Sequence, residues 1–294
     1  MSAFLTYLFI GLGNGAIYSM IGLGLVVIYR STGLLNFAQG EMAMFTTFVV
    51  WNLSDTGLPL PLAVLGGMVV GFALGAVVHQ VVVRPVGDPH EKPLAVVIVT
   101  IGMFLGINAA AQLIWGTDQK DLARLFGSGE FSVAGAPFAW QKLGALVVLG
   151  VEAGAFWLLF QKTKLGLAMR AVASNPESSG LVGIPVTRVL MVGWGLAAAL
   201  GAIAGTFLAP NSAVDPNLMQ LPLIFGFAAI TLGGFDSFVG AVVGGLAVGI
   251  LTDVVPKYVD WVSKIPLAPA FAVILITLLV RPQGLFGRKV VSRV

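Results

Sequence analysis

The chain has 294 residues, 57% of them hydrophobic and 10% charged, with a mean hydropathy of +0.97. So little polar surface cannot cover a soluble globule of this size, so the chain belongs in a membrane. Its net charge of +3 comes from basic residues in short loops and the tail, a pattern of membrane orientation rather than of nucleic-acid binding. With no cysteine, disulfides, thiolate catalysis and Cys-ligated metals are excluded.

Apolar runs bounded by charge, Pro and polar clusters predict an all-α polytopic helix bundle in one membrane domain spanning 1–294. Nine segments are expected, near 5–29, 37–53, 61–83, 94–114, 143–160, 189–209, 217–233, 237–252 and 265–280, which sets the number of crossings at eight to ten. A hydrocarbon core of ~30 Å calls for about 20 helical residues. The segments at 37, 217, 237 and 265 are therefore candidates for broken or re-entrant helices. The first segment is expected to stay as a spanning helix rather than a cleaved signal, because no Lys or Arg precedes Arg30.

Within the first segment, Asn14 and Tyr18 stack on one helical face. The next stretch, STGLLNFAQGE, brings Asn36, Gln39 and Glu41 to the junction of the first and second helices, with Gly33 and Gly40 allowing tight turns. Glu41 reads either as a cap favoured by the helix dipole at the membrane rim or as a gating or interhelical contact. Thr100, Asn108 and Gln112 share a face of the fourth segment with Phe104. Interhelical hydrogen bonding and lining of a polar pathway are both open to them. Glu152 lies near the middle of the fifth segment, a costly place for a carboxylate, and reads as a functional group or as a residue at a subunit seam. His79 and His90 match no metal-ligand spacing and read as structural.

Small residues recur four apart at Gly11/Gly15, Gly67/Gly71/Gly75, Gly102/Gly106, Gly201/Gly205 and Ala241/Gly245/Gly249. Such faces let helices approach closely, which predicts a compact bundle.

Residues 161–188, QKTKLGLAMRAVASNPESSGLVGIPVTR, form a long polar loop with Lys162, Lys164, Arg170 and Arg188 against Glu177. Basic loops stay on the cytoplasmic side. With nine crossings this puts the N-terminus outside and the C-terminus inside. Arg30, Arg84, Lys92, Arg281, Arg288, Lys289 and Arg293 then join the loop on the inner side. Lys120, Arg124, Lys142, Lys257 and Lys264 fall outside among Asp55, Asp118, Asp121, Glu130, Asp215, Asp253 and Asp260. Local signals in the loop predict a helix over 168–174, a break at Asn175-Pro176, and a second short element over 178–184 ended by Pro185.

Several stretches resemble one family. GLGNGAIYSMIGLGLVVIYRSTGLLNFAQGEMAMF is similar to the N-terminal region of the permeases of bacterial branched-chain amino acid ABC importers, which carry an Asn-Phe-Ala-(His/Gln)-Gly-Glu run after the first helix. LGLAMRAVASNPESSGLVGI resembles the family's cytoplasmic coupling loop. ITLGGFDSFVGAVVGGLAVGI and RPQGLFGR resemble its later helices and C-terminal end. The pattern is nearer the H-type than the M-type permease, with Gln39 where His is commoner.

The resemblance implies a transport subunit rather than an enzyme, in a bacterial inner membrane. It implies coupling to an ATPase through Arg170, Asn175, Pro176, Glu177, Gly183 and Ile184. Expected partners are two cytoplasmic ATPase subunits, a second and paralogous permease, an extracytoplasmic substrate-binding protein and a small amino-acid substrate, with no nucleic acid. No cofactor is expected in the chain itself. It has no G-x-x-x-x-G-K-[ST] phosphate cradle, so ATP and Mg fall to the partner subunits. Two other readings stay open: the same kind of importer carrying urea, short amides or another small organic solute, and an ion-coupled secondary transporter using Glu41, Glu152 and Asp236.

Overall fold

The computed structural model describes residues 2–87 and 93–287. His90, Lys92, Arg288, Lys289 and Arg293 lie outside them. The described chain is a helical bundle with one small hairpin. Its long helices are α1 (Ser2–Thr32), α3 (Leu60–Val78), α4 (Pro93–Trp115), α5 (Trp140–Lys162), α8 (Val186–Ser212) and α10 (Phe238–Tyr258). Six helices in the described residues are long and apolar enough to cross a membrane. Shorter ones are α2 (Gln39–Asp55), α6 (Lys164–Ser174), α7 (Pro176–Leu181), α9 (Gln220–Gly233), α11 (Asp260–Ser263) and α12 (Ala268–Val280).

All nine apolar segments of the sequence coincide with a helix. The segment at 237 is longer than expected, because α10 continues through Pro256 to Tyr258 and reaches 21 residues, about 31 Å and a full crossing. α9 and α12 have 14 and 13 residues, roughly 20 Å each. They fall well short of the ~30 Å core.

The short α2 begins inside the bundle. An added Cβ at Gly24 would lie 2.7 Å from the Gln39 side chain, and Gly24 is roughly 12 Å from the Thr32 end of α1. Gln39 Nε2 also donates to the carbonyl of Ala197, well inside α8 (2.8 Å). The residues between α1 and α2 therefore turn back into the protein, starting at Gly33, whose φ of 73° suits glycine. This places Asn36, Gln39 and Glu41 deeper than the rim position expected from sequence.

Glycine faces hold the bundle together. α1 meets α10 where Gly11 and Gly15 face Gly245 and Gly249; a Cβ at Gly15 would stand 2.8 Å from the Gly245 carbonyl oxygen. α3 meets α8 in the same way, with a Cβ at Gly71 falling 2.9 Å from the Ala198 oxygen. Gly201 of α8 rests on Ala43 of α2. In lipid such backbone proximity, rather than exclusion of water, drives association. Gly102 and Gly106 of α4 differ: a Cβ at either meets nothing within 4 Å. That pair makes no close helix contact among the described residues.

Cations stacked on aromatic rings mark both ends of the bundle. Arg30 stands over the rings of Phe160 and Phe238, 5.5 and 4.8 Å from their centroids. The ends of α1 and α5 and the start of α10 thus share one end with α6 and α7. At the opposite end Lys257 stands over Tyr7 (5.4 Å) and Lys120 over Trp51 (5.7 Å). There the loop after α4 pairs with the α8 exit through a bridge between Lys120 and Val214. That loop also holds a hairpin absent from the sequence reading, β1 (Glu130–Val133) and β2 (Ala136–Ala139). Its turn uses positive φ at Ala134 and Gly135, the two-residue geometry that matches strand twist.

The polar loop folds as two helices. α6 starts four residues before the predicted 168, because Thr163 Oγ1 accepts the Gly166 N–H and caps it there. Asn175 ends α6 and caps α7 by accepting the Ser178 N–H on its Oδ1 (2.8 Å). Pro176 takes the first position of α7, where its missing N–H costs nothing. α7 stops at Leu181, and Gly183, at φ 88°, turns the chain toward Pro185 and α8.

The packing yields a direct test. Gly15→Ala is expected to destabilise the protein in detergent by about 1–3 kcal/mol, the range for overpacking. Gly154→Ala, whose Cβ meets nothing within 4 Å, is expected to leave the unfolding midpoint unchanged.

Candidate functional site

The N-terminus of α2, the C-terminal half of α4 and the chain leading into α9 converge on one polar cluster. Glu41 sits in the first turn of α2, 1% exposed, where helix N–H groups favour an acceptor. Asn108 Nδ2 donates to Glu41 Oε2 (3.0 Å) and to the carbonyl of Pro216 (2.8 Å). Gln112 Nε2 donates in turn to Asn108 Oδ1 (2.6 Å). Across the gap, Gln220 Nε2 donates to Asn217 Oδ1 (2.7 Å). A recess of about 540 Å³ opens here, with Phe104, Asn108, Gln112 and Gln220 in its wall. A second of about 300 Å³, sharing Gln112, continues past Asp215 and Asn217. Together they form a lane along α4 in which the amides of Asn108, Gln112 and Gln220 stand among the apolar side chains of Phe104, Leu105 and Leu113.

Asn36 and Gln39 support this site from beneath. Asn36 Oδ1 accepts the Ala38 N–H (3.0 Å), a side-chain turn that sets the start of α2. Asn36 Nδ2 and Gln39 Oε1 are buried without a hydrogen-bond partner among the described residues. An unpaired polar atom so placed carries a desolvation cost of about 1–3 kcal/mol.

The other candidates lie elsewhere. Thr100 is buried and donates to the Val97 carbonyl of its own helix (2.8 Å). Asn14 donates to Asp253 Oδ2 of α10 (2.9 Å), and Tyr18 packs on Phe225 with ring centroids 4.7 Å apart. Both face neighbouring helices at the α1–α10 seam. Glu152 lies inside the bundle, 6% exposed, and neither carboxyl oxygen has a partner among the described residues. It joins neither the recess nor the outer face of α5. The residues expected to couple to an ATPase, Arg170, Asn175, Pro176, Glu177, Gly183 and Ile184, fall on α6, α7, the joint between them or the turn that follows.

Sequence reasoning missed Pro216, Asn217 and Gln220, and the pairing of Asn14 with Asp253. The Pro216 contribution is a backbone carbonyl, which no side-chain pattern reveals. Asp253 is legible as an acid, but ending the eighth segment at 252 leaves it in a loop, whereas it lies on α10. Among the described residues no group of three His, Asp or Glu could hold a metal.

The family model described as "Branched-chain amino acid transport system / permease component" matches residues 7–280. The chain belongs to that family. It is 29% identical over 306 aligned residues to the high-affinity branched-chain amino acid transport system permease protein LivH of Escherichia coli K12, covering 99% of this chain and 98% of that relative. It is also 29% identical to the permease protein BraD of Pseudomonas aeruginosa, over 97% of this chain and 96% of the relative. A probable LivH of Methanocaldococcus jannaschii is 27% identical over 91% of this chain and 88% of its own. The chain is accordingly a multi-pass membrane permease.

Two substitutions separate roles within the permease. Asn108→Leu removes the donor that Glu41 and the Pro216 carbonyl share; uptake is expected to fall at least ten-fold while membrane insertion persists, measured with labelled substrate in cells. Glu152→Met removes a buried carboxyl that has no partner. Stability in detergent is expected to rise by about 1–3 kcal/mol, the cost of an unsatisfied buried group, with uptake retained.

Proposed function

We propose that the chain is one of two paired permease subunits of an ATP-driven importer for branched-chain or related small amino acids in a bacterial cytoplasmic membrane. The observation that carries this reading is the lane beside Asn108, Gln112 and Gln220, open on one face of the chain, with the buried Glu41 accepting from Asn108 behind it. Polar groups facing hydrocarbon are costly, so a second permease must close the lane and share it as a pathway. Uncharged amide groups with one buried carboxylate suit a zwitterion in transit, which needs passage more than a tight site. Selectivity then rests with an extracytoplasmic binding protein.

The basic end of the bundle faces the cytoplasm, with the N-terminus outside and the C-terminus inside. Arg30, Arg84, Lys162, Lys164, Arg170, Arg188 and Arg281 gather there, in keeping with the positive-inside rule. α6 and α7 present Arg170, Asn175, Pro176, Glu177, Gly183 and Ile184 to two ATPase subunits, which bind the ATP and Mg. Leu181 and Val182 stand exposed at the tip of α7, an apolar contact for a groove in such a partner.

The experiment combines topology and coupling in the full chain. A Ser174→Cys variant is expected to resist an impermeant thiol reagent in intact cells, and Ala134→Cys in the hairpin to react. With residues 174–184 replaced by a Gly/Ser linker, the permease is expected to insert normally yet lose stimulation of ATP hydrolysis by loaded binding protein. Labelling of Ser174→Cys from outside, or full stimulation with the linker, would overturn the proposal.

A further inference from the structure

A third cavity, of about 270 Å³, lies at the basic end of the bundle, away from the recess at Asn108. Its walls join five elements: Thr32 at the end of α1, His79 and Arg84 in the turns beyond α3, Val172 of α6, Pro176 of α7 and Leu190 of α8. α3 does not end cleanly there. Residues His79–Val83 continue it as a π-helical turn and Arg84–Val86 as a 3₁₀ turn. A π turn is rare and associated with functional sites. This one puts His79, 3% exposed, in the cavity wall with Nδ1 lacking a hydrogen-bond partner among the described residues. A buried polar atom without a partner calls for an explanation, and one that faces a cavity is placed to meet a group bound there.

The wall chemistry defines what fits. Arg84 supplies one cation, the Thr32 and Thr187 hydroxyls are close by, and no acid among the described residues lines the cavity. His79 adds a donor in the tautomer that protonates Nδ1. Much of the remaining wall is aliphatic, Val83, Val172 and Leu190 among it. A zwitterion would find no acidic partner for its ammonium among the described wall residues. The volume lies just under the ~300–1,000 Å³ of drug-sized sites, which limits an occupant's body to a few carbons.

We propose that this cavity is a binding site for a single anionic group carried on a short aliphatic body, held by Arg84 and His79. Its occupant bridges the tail of α3 to α6 and α7, and so ties the loop helices to the membrane helices. Two sources supply that chemistry: a small aliphatic carboxylate from solution, or the phosphate end of a lipid in the adjacent leaflet.

The test uses the full chain in phosphatidylcholine nanodiscs, titrated with 3-methylbutanoate, with 3-methylbutylamine as a cation of the same shape. The carboxylate is expected to raise the thermal unfolding midpoint by a few degrees at saturation, as any ligand of the folded state alone does. The amine is expected to have no effect. Arg84→Gln is expected to weaken the response about ten-fold, the loss of a charge-assisted bond, and Leu190→Trp to abolish it by filling the space. Phosphatidylglycerol nanodiscs that raise the midpoint themselves and leave the carboxylate nothing to add identify a lipid as the occupant. An equal response to the amine, no response to either anion, or undiminished responses in both variants would overturn the proposal.

Discussion

Everything else in this fold depends on how closely the backbone of α1 can approach α10. Two apolar helices in lipid gain nothing from excluding water, since the tails around them are equally apolar. Gly11 and Gly15 against Gly245 and Gly249 solve this by removing side chains, so that main chain rests on main chain. The same device seats α3 on α8 and α9 on α10, where Gly233 meets Gly240. With α1 held at the centre, α8 and α9 pack around it, and the space left between them admits the short helix α2 and its polar N-terminus.

That short helix shows why a membrane protein tolerates irregular backbone at depth. A helix starting inside the bundle exposes its first N–H groups where no water reaches them. Here the Asn36 side chain accepts the Ala38 N–H, and the Gln39 amide is held by Ala197. The start of α2 is thereby positioned, and Glu41 with it, against Asn108 from a third helix. The candidate pathway is built at the junction of elements distant in sequence, and a shift of any one of them alters the hydrogen bonds of the others.

The sequence was most legible where membrane physics constrains it most. Apolar runs located all nine helices that fill the bundle, since hydrocarbon thickness and backbone satisfaction leave few alternatives. The polar positions Glu41, Asn108 and Gln112 stood out for being costly in lipid, and the structure brings these three together. Depth was less legible: NFAQGE reads as a rim turn, and only the contact of Gln39 with Gly24 reveals that the chain re-enters. The hairpin at Glu130–Ala139 escaped notice because two four-residue strands carry too short an alternation to register. Glycine spacing overreached at Gly102 and Gly106, which share the motif but make no close helix contact among the described residues.

Asn175 serves two helices at once. Its backbone N–H closes α6 on Ala171, and its side chain opens α7 at Ser178. One residue therefore sets the angle of the elbow, with Pro176 removing the freedom of the bond that follows. At the other end of α6, Gly166 lies directly on the Leu159 and Phe160 backbone of α5. A load applied to the tip of α7 thus travels through a stiff corner into a long membrane helix, as through a crank rather than a tether.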